Sequence, residues 1–315
     1  MVVILITGFN YNITKYLHLG SKTRFKSRWN QGIFISAYLL SSIVWLTQLF
    51  HENTLSSFVY VLFQFLFLGL YTQVSFNDPG RVQGPRLSIS EIVEEHLSKG
   101  QDITLLDPPA SITTLCLVCK IKKPIRSKHC KESGYCIGRF DHYCTWTANA
   151  VGYKNHHKFV SVVLLAILNH SCFLYYSSHY YFLQNHYELL ELEWVFPGGS
   201  HSLVFVLMVF HFLNILWQSA ILFDQLRIIL TNLTRNEAIN VRRYPYLQYI
   251  TPEKDIYFYN PFDRGYKENI KEFLREVNWS LVFTVPPKKW EEERKNLHKL
   301  IQKAPPTSDI QIKIY

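Results

Sequence analysis

"VSVVLLAILNHSCFLYYSSHYYF", residues 160–182, runs for 23 residues without Lys, Arg, Asp or Glu. At about 1.5 Å of rise per residue, a helix of that length crosses a hydrocarbon core of roughly 30 Å. A buried helix in a soluble core usually carries a charged face every three or four residues, and this run has none. The stretch therefore reads as a membrane span. Working outward, no Lys or Arg occurs from Val160 through Leu226, nor from Asn30 through Gly80. Each of these regions holds two apolar runs: Ile33 to Phe50 and Leu55 to Val74, then Val160 to Phe182 and Ser202 to Leu222. Four transmembrane helices are expected.

The chain has 315 residues, 48% hydrophobic and 16% aromatic, with a formal charge of +9. That excess positive charge suits either a soluble nucleic-acid binder or a membrane protein, and its placement decides for the membrane. Lys and Arg gather in "KTRFKSR" before the first run, in the loop 78–158, and in "RRY" after the fourth. The connectors "HENT" and "QNHYELLELEWVFPGGSH" have neither. By the positive-inside rule, both termini and the central loop are expected in the cytosol. No nucleic-acid partner is expected. The spans also lack paired charges and Gly/Pro-broken segments, which argues against a transporter or channel.

The opening "MVVILITGFNYNITKYLHLG" has an apolar start of about seven residues, too short to span and without the basic start of a secretory signal. It reads as the stub of a further membrane helix, so a truncated form of a longer protein is one expectation. The expected divisions are a cytosolic segment 1–30, helices 1 and 2 in 31–76, a cysteine-rich domain 77–159, helices 3 and 4 in 160–226, and a tail 227–315. Sequons at Asn12, Asn169, Asn232 and Asn278 are expected to stay unmodified. In the tail, "YKENIKEFLREV" spaces Tyr266, Ile270, Phe273, Leu274 and Val277 on one helical face, for docking on the membrane-proximal domain or for the interface itself.

Five of the six cysteines, at 116, 119, 130, 136 and 144, fall in the central loop, and the sixth, Cys172, falls in an apolar run as packing. A reducing compartment argues there for metal or catalysis over disulfides. "CLVC" brings Cys116 and Cys119 onto one tetrahedral ion, and His129 and Cys136 complete a closed Cys3His structural zinc site. In "RFDHYCTW", 139–146, His142 stands two positions before Cys144 and Asp141 is next to the histidine. An imidazole can take a thiol proton and a carboxylate can hold the imidazole, which makes Cys144 a candidate nucleophile. Spacing alone leaves it open as a zinc ligand. The histidines of the spans, His170, His179 and His211, read as packing or interfacial residues.

The stretch 116–159, "CLVCKIKKPIRSKHCKESGYCIGRFDHYCTWTANAVGYKNHHKF", resembles the cysteine-rich domain of the DHHC protein S-acyltransferases, the palmitoyltransferases. "DPG" at 78–80, "NPFDRG" at 260–265 and "TRNE" at 234–237 extend the likeness, the last with Arg235 where the family motif has threonine. The DHYC spelling is most similar to the fungal ankyrin-repeat branch, whose repeats this sequence does not contain. The resemblance implies an all-α polytopic membrane protein with four transmembrane helices and a small cytosolic zinc domain. It implies acyl transfer from palmitoyl-CoA or a similar acyl-CoA to cysteines of membrane-associated proteins, with Cys144 as nucleophile, His142 as base and Asp141 as orienting carboxylate. Arg126, Lys128 and Arg139 are expected to help form a basic face for the CoA head.

The family usually binds a second zinc through positions equivalent to Cys130, Ser133, Tyr143 and Ala150, and three of those four ligands are replaced here. One structural zinc is expected. Thr145 stands where proline is common. These departures keep a second function class in play, a catalytically inactive zinc-bearing membrane scaffold. The expected location is the endomembrane system: Golgi, endosome or endoplasmic reticulum.

Overall fold

The computed structural model describes residues 24–49, 54–84, 88, 91, 115–116, 118–179, 202–250 and 256–275. Among them α1 is Arg24–Val44, continued by a π-helical turn at Trp45–Leu49, and α2 is Thr54–Phe76. After six short strands come α3, His156–Ser178, and α4, Ser202–Leu230, then a five-residue helix α5, Arg235–Ile239, and α6, Tyr266–Leu274. The chain divides into two compact units. One holds Met1–Pro79, Tyr143–Val151 and Asn155–Gln225; the other holds Gly80–His142, Gly152–Lys154 and Leu226–Tyr315.

In the first unit, Ser57–Phe76, His156–Ser178 and Ser202–Leu230 are long and apolar enough to cross a membrane. The described helices thus supply three of the four expected spans. Helix α1 does not meet the same measure. Arg24, Lys26 and Arg28 occupy its first turns, and Gln31, Ser36, Ser41 and Ser42 dilute its apolar run. Helices α2 and α3 pack along each other. Aromatic rings fill the gaps: Tyr38 stacks on Phe67 with centroids 4.4 Å apart, and Trp45 on Tyr60 at 4.0 Å.

A polar seam crosses this apolar packing. Gln218 Nε2 lies 3.1 Å from His170 Nε2, His170 Nδ1 lies 2.6 Å from His211 Nδ1, and His211 Nε2 lies 3.0 Å from Ser41 Oγ. Only one proton arrangement lets neutral rings satisfy all three contacts with Gln218 Nε2 donating. His170 then donates from Nδ1 and His211 from Nε2, and the Ser41 hydroxyl donates to Ala37 O at 2.9 Å. Phe173 stacks on His211 at 4.0 Å. Packing is therefore only part of what these two histidines do. They also tie α1, α3 and α4 together.

Short strands add β-structure to the expected all-α description. Strands β1 (Leu115–Cys116) and β2 (Ile121–Lys122), β3 (Lys128–Cys130) and β4 (Tyr135–Ile137), β5 (His142–Cys144) and β6 (Asn149–Val151), and β7 (Gln248–Ile250) and β8 (Ile256–Phe258) form four two-stranded sheets. Segments this short, interrupted by Pro, Gly and paired cysteines, cannot complete helical turns, so their backbone groups pair as hairpins. In the β3–β4 turn Gly134 takes φ +77, and its N–H donates to Cys130 O at 2.8 Å. Gly80, at φ +108, must be glycine for a second reason: a Cβ there would lie 2.1 Å from the Tyr153 ring.

Helix α6 is fastened through a polar residue. Asn269, 1% exposed, donates to Leu230 O and to Asp263 Oδ1, both at 2.7 Å. Tyr266, Ile270 and Leu274 of its apolar row are exposed, so the expected docking through that row is not what holds the helix.

Candidate active site and metal centre

Register assembles the metal centre. The β3–β4 pairing sets His129 opposite Cys136, while the turn between β1 and β2 brings Cys116 and Cys119 together. The four ligand atoms lie within 4.8 Å of one another. His129 Nδ1 is 3.2 Å from Cys119 Sγ, 3.6 Å from Cys116 Sγ and 4.0 Å from Cys136 Sγ. A tetrahedron with Zn–S about 2.3 Å and Zn–N about 2.0 Å has edges of roughly 3.5 to 3.8 Å, so the set fits zinc. Burial, with Lys123 and Lys131 adding to it, lowers the His129 pKa, which keeps the imidazole in its ligating neutral form. These residues could hold a metal ion.

Sequence reasoning missed Lys123. It is only 7% exposed; burial lowers its pKa, while Cys136, Cys116 and Cys119 counter that shift. Three thiolates around a divalent ion leave one negative charge, and Lys123 is placed to balance it. Cys130 is elsewhere, donating to Glu132 Oε2 at 3.3 Å.

Asp141 is 1% exposed. Its Oδ2 lies 2.7 Å from His142 Nδ1, and its Oδ1 accepts the Arg235 N–H at 2.7 Å. A carboxylate can only accept, so His142 carries its proton on Nδ1 and keeps the Nε2 lone pair for a base.

Cys144, described within the first unit, is 7% exposed and packs among Tyr38, Phe67, Tyr71, Val74, Val151, Phe159, Val162, Val163 and Ala166. The turn after it is bound to the membrane helices. Tyr71 Oη donates to Trp146 O at 2.7 Å, Gln31 Nε2 to Thr147 O at 3.3 Å, and Asn149 Nδ2 to Val74 O at 2.9 Å and Asn77 O at 3.0 Å. Asn155 Nδ2 donates to Ala150 O at 2.9 Å. The asparagines of the "N.VG..N" pattern are backbone clamps, which their ability to bond carbonyls at a distance makes intelligible only once the helices are present.

Two of the three cations expected on a basic face are interior groups, and that expectation is corrected. Arg126 is bidentate to Glu237, Nε to Oε1 and Nη2 to Oε2 at 2.8 Å each, and the pair's side chains are 0% and 1% exposed. Arg126 also donates to Asn232 O at 2.9 Å and lies 4.1 Å above the Phe262 ring. Arg139 Nη2 donates to Asn232 Oδ1 at 2.8 Å. Burial, then the neighbouring Arg126, lower the Arg139 pKa to about 10; for Arg126 burial also lowers it, but Glu237, with Tyr246 and Glu272, brings it above its ordinary value. A guanidinium so enclosed cannot face a ligand. Lys128 is half-buried and donates to Asn236 Oδ1 at 2.8 Å. Glu237 is also the acid of a capping box with Thr234, which explains the Thr and Glu of "TRNE".

A Cys3His set, a hydrogen-bonded Asp–His pair and a cysteine two residues beyond it characterise a cysteine-rich domain. Residues 110–242 match the family described as DHHC palmitoyltransferase. The chain is 29% identical over 239 residues to palmitoyltransferase AKR1 of Yarrowia lipolytica, covering 73% of this chain and 31% of that protein. Against palmitoyltransferase akr1 of Schizosaccharomyces pombe the figures are 30% over 240 residues, 72% and 36%. Against palmitoyltransferase ZDHHC17 of Mus musculus they are 28% over 229 residues, 66% and 34%. The chain spans about a third of the length of these curated relatives.

Proposed function

We propose that the protein is a membrane-embedded S-acyltransferase that moves a palmitoyl or similar group from acyl-CoA to cysteines of membrane-associated proteins. The observation that carries this reading is the Asp141–His142 contact of 2.7 Å, which leaves His142 Nε2 as a base two residues before Cys144. His142 takes the Cys144 thiol proton, and the thiolate attacks the thioester carbonyl. The C–S bond to CoA breaks, and the departing CoA thiolate takes the proton back from the imidazolium. His142 then takes the proton of a substrate thiol, whose thiolate attacks the acyl-Cys144 carbonyl; the C–S bond to Cys144 breaks, and the Cys144 thiolate takes the proton back from the imidazolium. Asp141 holds the imidazole in position and stabilises its charged form.

Cys144 sits among apolar side chains of membrane helices, a medium into which a fatty acyl chain partitions and from which water is excluded. The single structural zinc on Cys116, Cys119, His129 and Cys136 contributes folding energy and takes no part in the chemistry. Helix α1 serves as the fourth span, with residues 78–158 and both termini in the cytosol of an endomembrane compartment: Golgi, endosome or endoplasmic reticulum.

The test is acyl labelling. Purified chain incubated with palmitoyl-CoA takes up hydroxylamine-sensitive label, and Cys144→Ala loses it with zinc content unchanged. Folded, zinc-loaded wild-type protein that labels with no long-chain acyl-CoA would turn the conclusion to an inactive scaffold.

A further inference from the structure

Between β5 and β6 the chain turns back on itself just after Cys144, and Ala148 takes φ +51 in that turn. A residue with a Cβ disfavours this conformation, which persists where surrounding contacts hold it. Inside the turn, Thr147 Oγ1 lies 3.5 Å from Cys144 O, at the long limit of a hydrogen bond. Shorter contacts come from two membrane helices. Tyr71 of α2 donates its hydroxyl to Trp146 O at 2.7 Å, and Gln31 of α1 donates Nε2 to Thr147 O at 3.3 Å. Both side chains are buried, where a carbonyl stripped of its donor is costly.

The Tyr71 ring is fixed independently of its hydroxyl. It stacks on Phe34 with centroids 5.8 Å apart and on Phe67 at 5.6 Å, and Phe34 meets the Trp146 ring edge-on at 6.2 Å. The hydroxyl therefore has a separate task, at the carbonyl two residues past Cys144. Thr145, directly after Cys144, has no ring to fix its φ, as a proline there would. Cys144 ends an extended strand, a conformation that a following proline accepts.

We propose that the Tyr71 hydroxyl, backed by Gln31, supplies the stiffness that a proline at 145 would give and so sets the position of the Cys144 thiol. Tyr71 is a positioning residue that acts through the Trp146 carbonyl. The inference rests on the acyltransferase reading for the step in which that position matters. It also accounts for how a turn lacking proline, with its strain at Ala148, keeps one shape.

The test compares the full wild-type chain with Tyr71→Phe in lipid nanodiscs, since the substitution removes one oxygen and keeps the ring. Single-turnover labelling at saturating palmitoyl-CoA slows about tenfold, while the half-saturating concentration moves by less than about twofold, because orientation is lost and binding is not. Hydrogen exchange of the amides at 145–149 quickens, with zinc content and helical circular dichroism as in the wild type. Adding Thr145→Pro to Tyr71→Phe recovers most of the lost rate, because a stiffened turn no longer needs the donor. A Tyr71→Phe rate within about twofold of wild type overturns the proposal. So does a folded double variant that stays slow, which would make Tyr71 a packing residue. If the double variant fails to fold, exchange in Tyr71→Phe alone decides, and wild-type protection at 145–149 overturns the proposal. Exchange needs no acyl transfer, which separates this inference from its premise. Faster exchange in Tyr71→Phe, with a wild-type chain that never labels, overturns the acyltransferase reading alone. Unchanged exchange, with a wild-type chain that labels, overturns the positioning role alone.

Discussion

His142 is half-buried, and its proton is placed by what Asp141 can do: an ionised carboxylate 2.7 Å from Nδ1 accepts and never donates. If the imidazole is the general base, His142→Ala slows acylation of Cys144 by roughly 10² to 10⁴ in single-turnover labelling. A rate within a factor of two of wild type would remove His142 from the chemistry. At this scale the sequence was legible where partners are chain neighbours. Asp141, His142 and Cys144 fall within four positions, and their chemistry comes from residue type. It was illegible where a cation's partner is remote. Arg126 and Glu237 are 111 positions apart, so nothing local distinguishes a buried guanidinium from one on a basic face.

At the scale of elements, two arrangements stand out in the second unit, a Cys3His set and an ion pair. The first could hold a metal ion, and it was legible in sequence because a CxxC turn and a hairpin are local structures. Cys116→Ser is expected to misfold or aggregate rather than give a clean kinetic defect, because a structural zinc contributes folding energy directly. Elemental analysis should find about one zinc per wild-type chain; normal folding with selective loss of turnover in the variant would count against a structural role. The second device is the Arg126–Glu237 pair, with Asn232, Phe262 and Tyr246 around it. Tyr246 Oη donates to Glu237 Oε1 at 3.0 Å, and Asn232 Nδ2 to Phe262 O at 3.0 Å. Removing one partner leaves a buried charge uncompensated, which costs about 3 to 5 kcal/mol. Glu237→Ala should therefore lower the thermal midpoint by many degrees in a zinc-loaded sample, whereas a change of only a degree or two would mean that solvent reaches Arg126. "TRNE" and "NPFDRG" were visible as patterns, but their joint purpose is tertiary: they enclose one arginine.

At the scale of the whole molecule, the apolar runs were legible because a hydrocarbon core imposes length and composition directly on the chain. The polar seam Gln218–His170–His211–Ser41 escaped. Its members sit singly in apolar runs, and a lone histidine there carries no mark of a second one 41 positions away. The orientation proposed for the spans rests on the Lys and Arg distribution, since positive residues stay on the cytosolic side during insertion. Of the native sequons, Asn232 is an unsuitable reporter, being 1% exposed with its side chain bonded to Arg126, Arg139 and Phe262. Acceptor sites introduced by substitution serve better. A sequon placed between residues 183 and 200, where "QNHYELLELEWVFPGGSH" has no Lys or Arg, should be glycosylated in cells. One placed between residues 85 and 114 should stay bare. Glycosylation of the second and not the first would invert the topology and put the cysteine-rich segment on the lumenal side. Cytosolic acyl-CoA does not reach that side, and the thiols there would face oxidation rather than zinc.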